Sequence, residues 1–161
     1  MRIVIVSNDT RGGIQPYVAL GQGLHLSGHE VTVVAPADYG PMLDDAGLDH
    51  APLSGGVEDL LRSAAGAGER GTLAAMRLAG REMAPRIVTW TRETLEASEG
   101  ADILTGGIGG KVVGLAVADR LGVPFVEAHL QPVGAPTAAY PGALFGSLPG
   151  WIEFSGIHTL F

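Results

Sequence analysis

Apolar positions fall in short unbroken blocks, and each block is followed by a polar, glycine-bearing stretch and then by a run with helical spacing. Arg2-Ile3-Val4-Ile5-Val6-Ser7 reads as a strand buried on both faces. Asn8-Asp9-Thr10-Arg11-Gly12-Gly13 follows as a turn, and an amphipathic helix opens at Pro16, where a missing N–H costs nothing in a first turn. Tyr17, Leu20, Gly21 and Leu24 are expected to share its inner face, and Gly28 to stop it. Glu30-Val31-Thr32-Val33-Val34-Ala35 is the second strand and ends at Pro36. Residues 38–46 read as a short helix and 48–53 as a short third strand.

Beyond that point the pattern loosens and then returns. Residues 54–70, rich in Gly, Ala and Ser, read as loop plus a short helix. Residues 71–99 read as two helical pieces broken near Pro85, with Ile87, Trp90, Thr94 and Leu95 on one face of the second. Ala101–Thr105 is a fourth strand, 110–121 a helix and Val123–Ala128 a fifth strand. Strands alternating with helices predict an α/β domain whose parallel sheet is covered by helices on both faces, with right-handed crossovers. In such sheets ligands gather at the carboxyl ends of strands, which singles out the Asn8–Gly13 turn. The final stretch, 132–161, departs from the pattern. It carries Pro132, Pro136, Pro141 and Pro149 among Tyr140, Phe145, Trp151, Phe154 and Phe161. Either it packs on its own sheet, or a second domain, a partner chain or a substrate covers it.

Composition narrows the picture. The 161 residues suit one domain, and 46% hydrophobic against 17% charged content excludes a disordered chain. A net charge of −7 without a Lys/Arg cluster excludes nucleic acid as the main partner. The absence of cysteine excludes disulfides and thiolate-bound zinc. No signal peptide opens the chain, and no apolar run approaches the roughly 18 residues that mark a membrane-spanning candidate. A cytoplasmic protein with at most peripheral membrane contact is expected.

Several motifs fail on inspection. The dinucleotide fingerprint needs Gly-x-Gly-x-x-Gly and an acidic residue ending strand two; Gly12-Gly13 is followed by Ile14-Gln15-Pro16, and strand two ends in Ala35-Pro36. Gly109-Gly110-Lys111 resembles a phosphate loop, but the leading glycine is Thr105 and Val112 follows the lysine. Those glycines serve a tight turn, whose N–H groups can still hold an oxyanion. Asp44-Asp45 fits an exposed helix surface. The histidines show no metal-ligand spacing, so no metal is expected. His25 and His29 suit the end of the first helix and His50 a structural role. His129, directly after strand five, either touches a substrate or is a hydrogen-bonded loop residue.

Thr10-Arg11-Gly12-Gly13-Ile14-Gln15-Pro16-Tyr17-Val18-Ala19-Leu20-Gly21 resembles the N-terminal signature of the GT-B glycosyltransferases that act on sterols, lipids, glycopeptides and polyketides. Ser27–Ala35 is similar to the same family, as are Phe125–Pro132, Pro136-Thr137 and Tyr140-Pro141. The resemblance implies one Rossmann-like half of a two-domain enzyme, here residues 1–161 as the N-terminal, acceptor-binding domain. The glycine-rich nucleotide-sugar segment of the other half is absent from this chain. The resemblance further implies an inverting, metal-independent transfer from a nucleotide sugar held by that other domain or by a partner subunit. The acceptor would be a small molecule or lipid, and this domain itself would bind no cofactor. Thr10, Arg11, Gly12, Gly13 and Gln131 would line the acceptor side. Arg11 would pair with a donor phosphate or a structural carboxylate. The family's proposed base is an aspartate at the position of Gly13, and glycine accepts no proton, which leaves Asp9 and His129 as catalytic candidates. The alternative is a non-catalytic binding module or a subunit of a split transferase.

Overall fold

The computed structural model describes residues 1–59 and 72–130. The chain divides into two compact units, Met1–Ala128 and His129–Phe161. The expectations for residues 60–71 and for the aromatic stretch 132–161 lie outside the described residues, and so does Gln131.

The first unit is the α/β sandwich that the alternating pattern predicts. Among its described residues the elements are β1 (Arg2–Val6), α1 (Arg11–Leu26), β2 (Glu30–Pro36), a 3-10 turn (Ala37–Tyr39), α2 (Gly40–Asp45), β3 (Asp49–Leu53), α3 (Thr72–Ala97), β4 (Ile103–Gly106), α4 (Ile108–Leu121) and β5 (Phe125–Glu127). All five strands are parallel in the order β3-β2-β1-β4-β5. The central strand is the most apolar: Val4 and Ile5 are fully buried and Val6 nearly so. Strand geometry sends alternate side chains to opposite faces. Val4, Val6 and Val34 pack with Trp90, Leu104, Val113 and Val117 on the face of α3 and α4. Ile5, Val31, Val33 and Ala35 pack with Ile14, Tyr17, Leu43 and Leu48 on the face of α1 and α2.

Three local expectations are corrected. First, α1 begins at Arg11, not at Pro16. The Ile14 and Gly13 N–H groups both bond the Thr10 carbonyl, so Arg11-Gly12-Gly13 is the opening turn of the helix and Pro16 lies within it. Two glycines disfavour helix locally, but Gly13 sits against the Asp9 side chain, where a larger residue would collide, so tertiary contact overrides propensity. Second, Leu20 sits on the outer side; the buried face is Ile14, Tyr17, Val18 and Gly21. Starting the helix five residues earlier does not change the period, but the sheet selects the face through Tyr17 and Gly21, where an added Cβ would meet Leu48 Cδ1 at 2.9 Å. Third, α3 runs unbroken through Pro85. Trp90 and Thr94 are buried on it, with Ile87 and Leu95 packed beside them. The C-terminus of α1 follows expectation: Gly28 takes φ +86, its N–H bonds His25 O, and His29 N–H bonds Leu24 O.

Candidate functional site

The carboxyl ends of neighbouring parallel strands open on one edge, and the chain leaves β1, β2 and β3 there with polar residues. Asn8-Asp9 follows β1, Asp38-Tyr39 follows β2, and Gly55-Gly56 with Glu58 and Asp59 follows β3. These exits enclose a cleft of about 100 Å³ lined by Asp9, Asp38, Tyr39, Gly56, Glu58 and Asp59. Tyr39 donates its hydroxyl hydrogen to Glu58 Oε1 at 2.8 Å. Burial first, then that bond and the surrounding carboxylates, push its pKa up to about 12. Trp90 anchors the β3 exit by donating its indole N–H to Ser54 O at 3.1 Å.

Asp9 is held at the base of α1. Its Oδ1 accepts the Thr10 N–H at 2.8 Å. Its side chain occupies the space that a side chain at residue 13 would need. A Cβ added to Gly13 would overlap Asp9 Cγ and stand 2.5 Å from Oδ2 and 2.7 Å from Cβ. Beneath it, Asn8 is buried and accepts the Val57 N–H through Oδ1 at 3.3 Å, which ties the β1 exit to the β3 exit. Tyr17 is buried in α1 and donates to Ala128 O at 2.6 Å, which pins the end of β5. Burial, and secondarily the Asp9 carboxylate, raise its pKa.

Of the residues singled out from sequence, Asp9 lines the cleft. Thr10 and Gly13 are half-buried beside it, and Arg11 and Gly12 are exposed on the first turn of α1. Arg11 pairs with none of the described carboxylates. His129 opens the second unit, directly after the β5 exit in sequence. His50 is structural, with Nε2 3.1 Å from Ala35 O. Lys111 does not face the edge as a free cation; its Nζ lies 2.8 Å from Glu127 Oε1. Among the described residues no group of His, Cys, Asp or Glu has the geometry to hold a metal ion. None of their helices is long and apolar enough to cross a membrane. The contributions of Asp38, Tyr39, Glu58 and Asp59 were not anticipated, although Asp38-Tyr39 immediately after the Pro36 that ends a strand was an available signal.

No family model matches the chain. A sterol 3-beta-glucosyltransferase of Candida albicans is 30% identical over 143 residues, which is 89% of this chain and 9% of that protein. Its counterpart in Neurospora crassa is 30% identical over 154 residues, 93% of this chain and 9% of the relative. The glycosyltransferase SsfS6 of Streptomyces sp. SF2575 superposes with a TM-score of 0.64 at 27% identity, over 84% of this chain and 41% of that one. The chain belongs with the GT-B glycosyltransferases. The calicheamicin glycosyltransferase CalG4 shares the fold with a TM-score of 0.65 at 16% identity, over 99% of this chain and 40% of its own length. The chain therefore spans about a tenth of the curated sterol glucosyltransferases it matches and about two fifths of these solved GT-B structures. Within a GT-B chain, the Asn8–Gly13 segment is the first connection of a Rossmann-like sheet, and its cleft lies at the edge where such sheets bind ligands.

Proposed function

We infer that this chain is the acceptor-binding half of an inverting glycosyltransferase. The acceptor is a sterol, lipid or natural-product alcohol, and the donor is a nucleotide sugar held by a second domain or partner subunit. The observation that carries the reading is the cleft with Asp9 at the carboxyl edge of the sheet, in a chain whose relatives are sterol glucosyltransferases. In the step, the acceptor oxygen bonds to the anomeric carbon from the side opposite the leaving group. The anomeric carbon–oxygen bond to phosphate breaks, the nucleoside diphosphate leaves with the electron pair, and the hydroxyl proton passes to a base. Asp9 and His129 are the candidates for that base, and Thr10, Arg11, Gly12, Gly13 and Gln131 are the proposed contacts that orient the acceptor.

The relatives' lengths support a two-part enzyme, since the chain matches under half of each solved neighbour named above. The test is binding by halves. Titration of the 161-residue chain with sterol and polyketide alcohols is expected to give saturable binding, and titration with nucleotide sugars is not. Saturable nucleotide-sugar binding without acceptor binding would sink the assignment. A non-catalytic module or split-enzyme subunit is the second reading, favoured by Gly13 at the position where the resemblance places a carboxylate. Reading the gene past Phe161 separates the two. A frame continuing into a donor-type domain supports the single-chain enzyme, and a stop codon with a donor-type domain encoded alongside supports the subunit.

A further inference from the structure

Two features of the α1 entrance point the same way. Asp9 has one oxygen fixed and one open: Oδ1 accepts the Thr10 N–H, and Oδ2 accepts no hydrogen bond from the described residues. The open oxygen is flanked by positions without side chains. A Cβ at Gly13 would stand 2.5 Å from it, and a Cβ at Gly109 would stand 3.1 Å from it. Glycine at both positions therefore leaves room for the Asp9 carboxylate, and Asp9 is among the residues that line the cleft. A carboxylate with one oxygen held by backbone and the other without a hydrogen bond from the described residues, on a residue that lines a cleft, has the arrangement a proton acceptor needs.

We propose that Asp9 is the general base of the transfer and that Gly13 exists to make room for it, so that positions 9 and 13 share one carboxylate site between them. The proposal rests on the acceptor-half reading and selects Asp9 over His129 within it. The acceptor hydroxyl gives its proton to Asp9 Oδ2 as its oxygen bonds to the anomeric carbon of the nucleotide sugar. The sugar–phosphate bond breaks, and the nucleoside diphosphate carries the electron pair away. No further reactant is needed.

The space-sharing half is testable on the 161-residue chain alone, whatever the function. G13A forces a Cβ into the Asp9 side chain and is expected to lower Tm by about 5 °C. In a D9G background the same substitution is expected to change Tm by less than about 2 °C, because the obstacle is gone. Equal losses in both backgrounds overturn the shared site. The catalytic half uses the chain with its donor-binding domain, whether encoded after Phe161 or on a partner. D9N keeps the size of the side chain and is expected to cut kcat at least about 100-fold while leaving acceptor KM nearly unchanged. The pair D9G and G13D, which moves the carboxylate across the shared site, is expected to recover at least about tenfold in kcat over D9G. A D9N enzyme with kcat within about threefold of wild type, or a double variant no better than D9G, overturns Asp9 as the base and leaves the acceptor-half reading standing. No transfer by the wild-type pair removes that reading itself, and this assignment with it.

Discussion

Two strand-to-helix connections on adjacent strands look alike in sequence and do opposite things. Both are glycine-rich: Asn8–Gly13, which runs from beyond β1 into the first turn of α1, and Gly106–Gly110, which runs from the end of β4 into the first turn of α4. In the second, Gly106, Gly109 and Gly110 yield first to backbone, and Gly107 yields to the Tyr17 hydroxyl. A Cβ on Gly106 or Gly110 would overlap the Val6 carbonyl oxygen, and one on Gly109 would stand 2.6 Å from Asn8 O. In the first, Gly13 yields to a side chain, the Asp9 carboxylate. The β4–α4 turn is therefore a packing joint that draws α4 against the end of β1, and Lys111, the residue after it, pairs with Glu127. The β1–α1 turn leaves a charged group at the mouth of a cleft. Glycine content alone says nothing about binding; what the missing Cβ would strike decides it.

The contrast can be broken by substitution, and the largest effect belongs to the packing joint. Gly110→Ala drives a Cβ into the backbone of the central strand, where no side chain can rotate away. It is expected to cost about 3 kcal/mol or more, read by denaturant unfolding, and no second substitution at residue 9 should relieve it. Gly13→Ala is expected to cost about 1–3 kcal/mol and to be relieved by Asp9→Gly. If Asp9→Gly rescued both, the distinction between backbone and side-chain crowding would fail. Tyr17→Phe removes the bond to Ala128 O that joins the two connections' surroundings and is expected to cost about 1 kcal/mol with m unchanged. Lys111→Ala breaks a pair whose partners are each more than a third exposed, and a loss within about 1 kcal/mol is expected.

A pH scan sharpens the cleft side of the comparison. Tyr39 ionises near 10 in the unfolded chain and at about 12 in the folded one. A raised folded pKa means that the neutral form is favoured by folding. Its contribution is complete below pH 10 and is lost as pH rises from about 10 through about 12. The drop in Tm across that window is expected to be smaller in Tyr39→Phe than in the wild type. Equal drops in the two proteins would show that folding does not raise the Tyr39 pKa.

The strands were legible because both faces of this sheet are covered, so each strand is a plain apolar run such as Ile3–Val6 or Val31–Ala35. The Gly28 stop was legible because positive φ is a local demand. The true start of α1 was not. Gly12, Gly13 and Pro16 argue locally for a later start, and what the sequence does not show is the contact of Gly13 with the Asp9 side chain and the two bonds to the Thr10 carbonyl. Pro85 misled in the same way, since a helix packed through Trp90 and Thr94 tolerates a proline on its outer side. Asp9 was recognisable as a candidate from its place after β1. Its companions Asp38, Tyr39, Glu58 and Asp59 were not, because three connections far apart in sequence meet only after the order β3-β2-β1 is set.

The measurement that tests the central claim most directly is transfer of a labelled sugar from a nucleotide sugar to a sterol or polyketide alcohol. It compares the 161-residue chain alone with the same chain combined with its donor-binding domain. Turnover only in the combined sample is the expected result. Turnover by the chain alone, or none in the combined sample, would contradict its assignment as the acceptor-binding half.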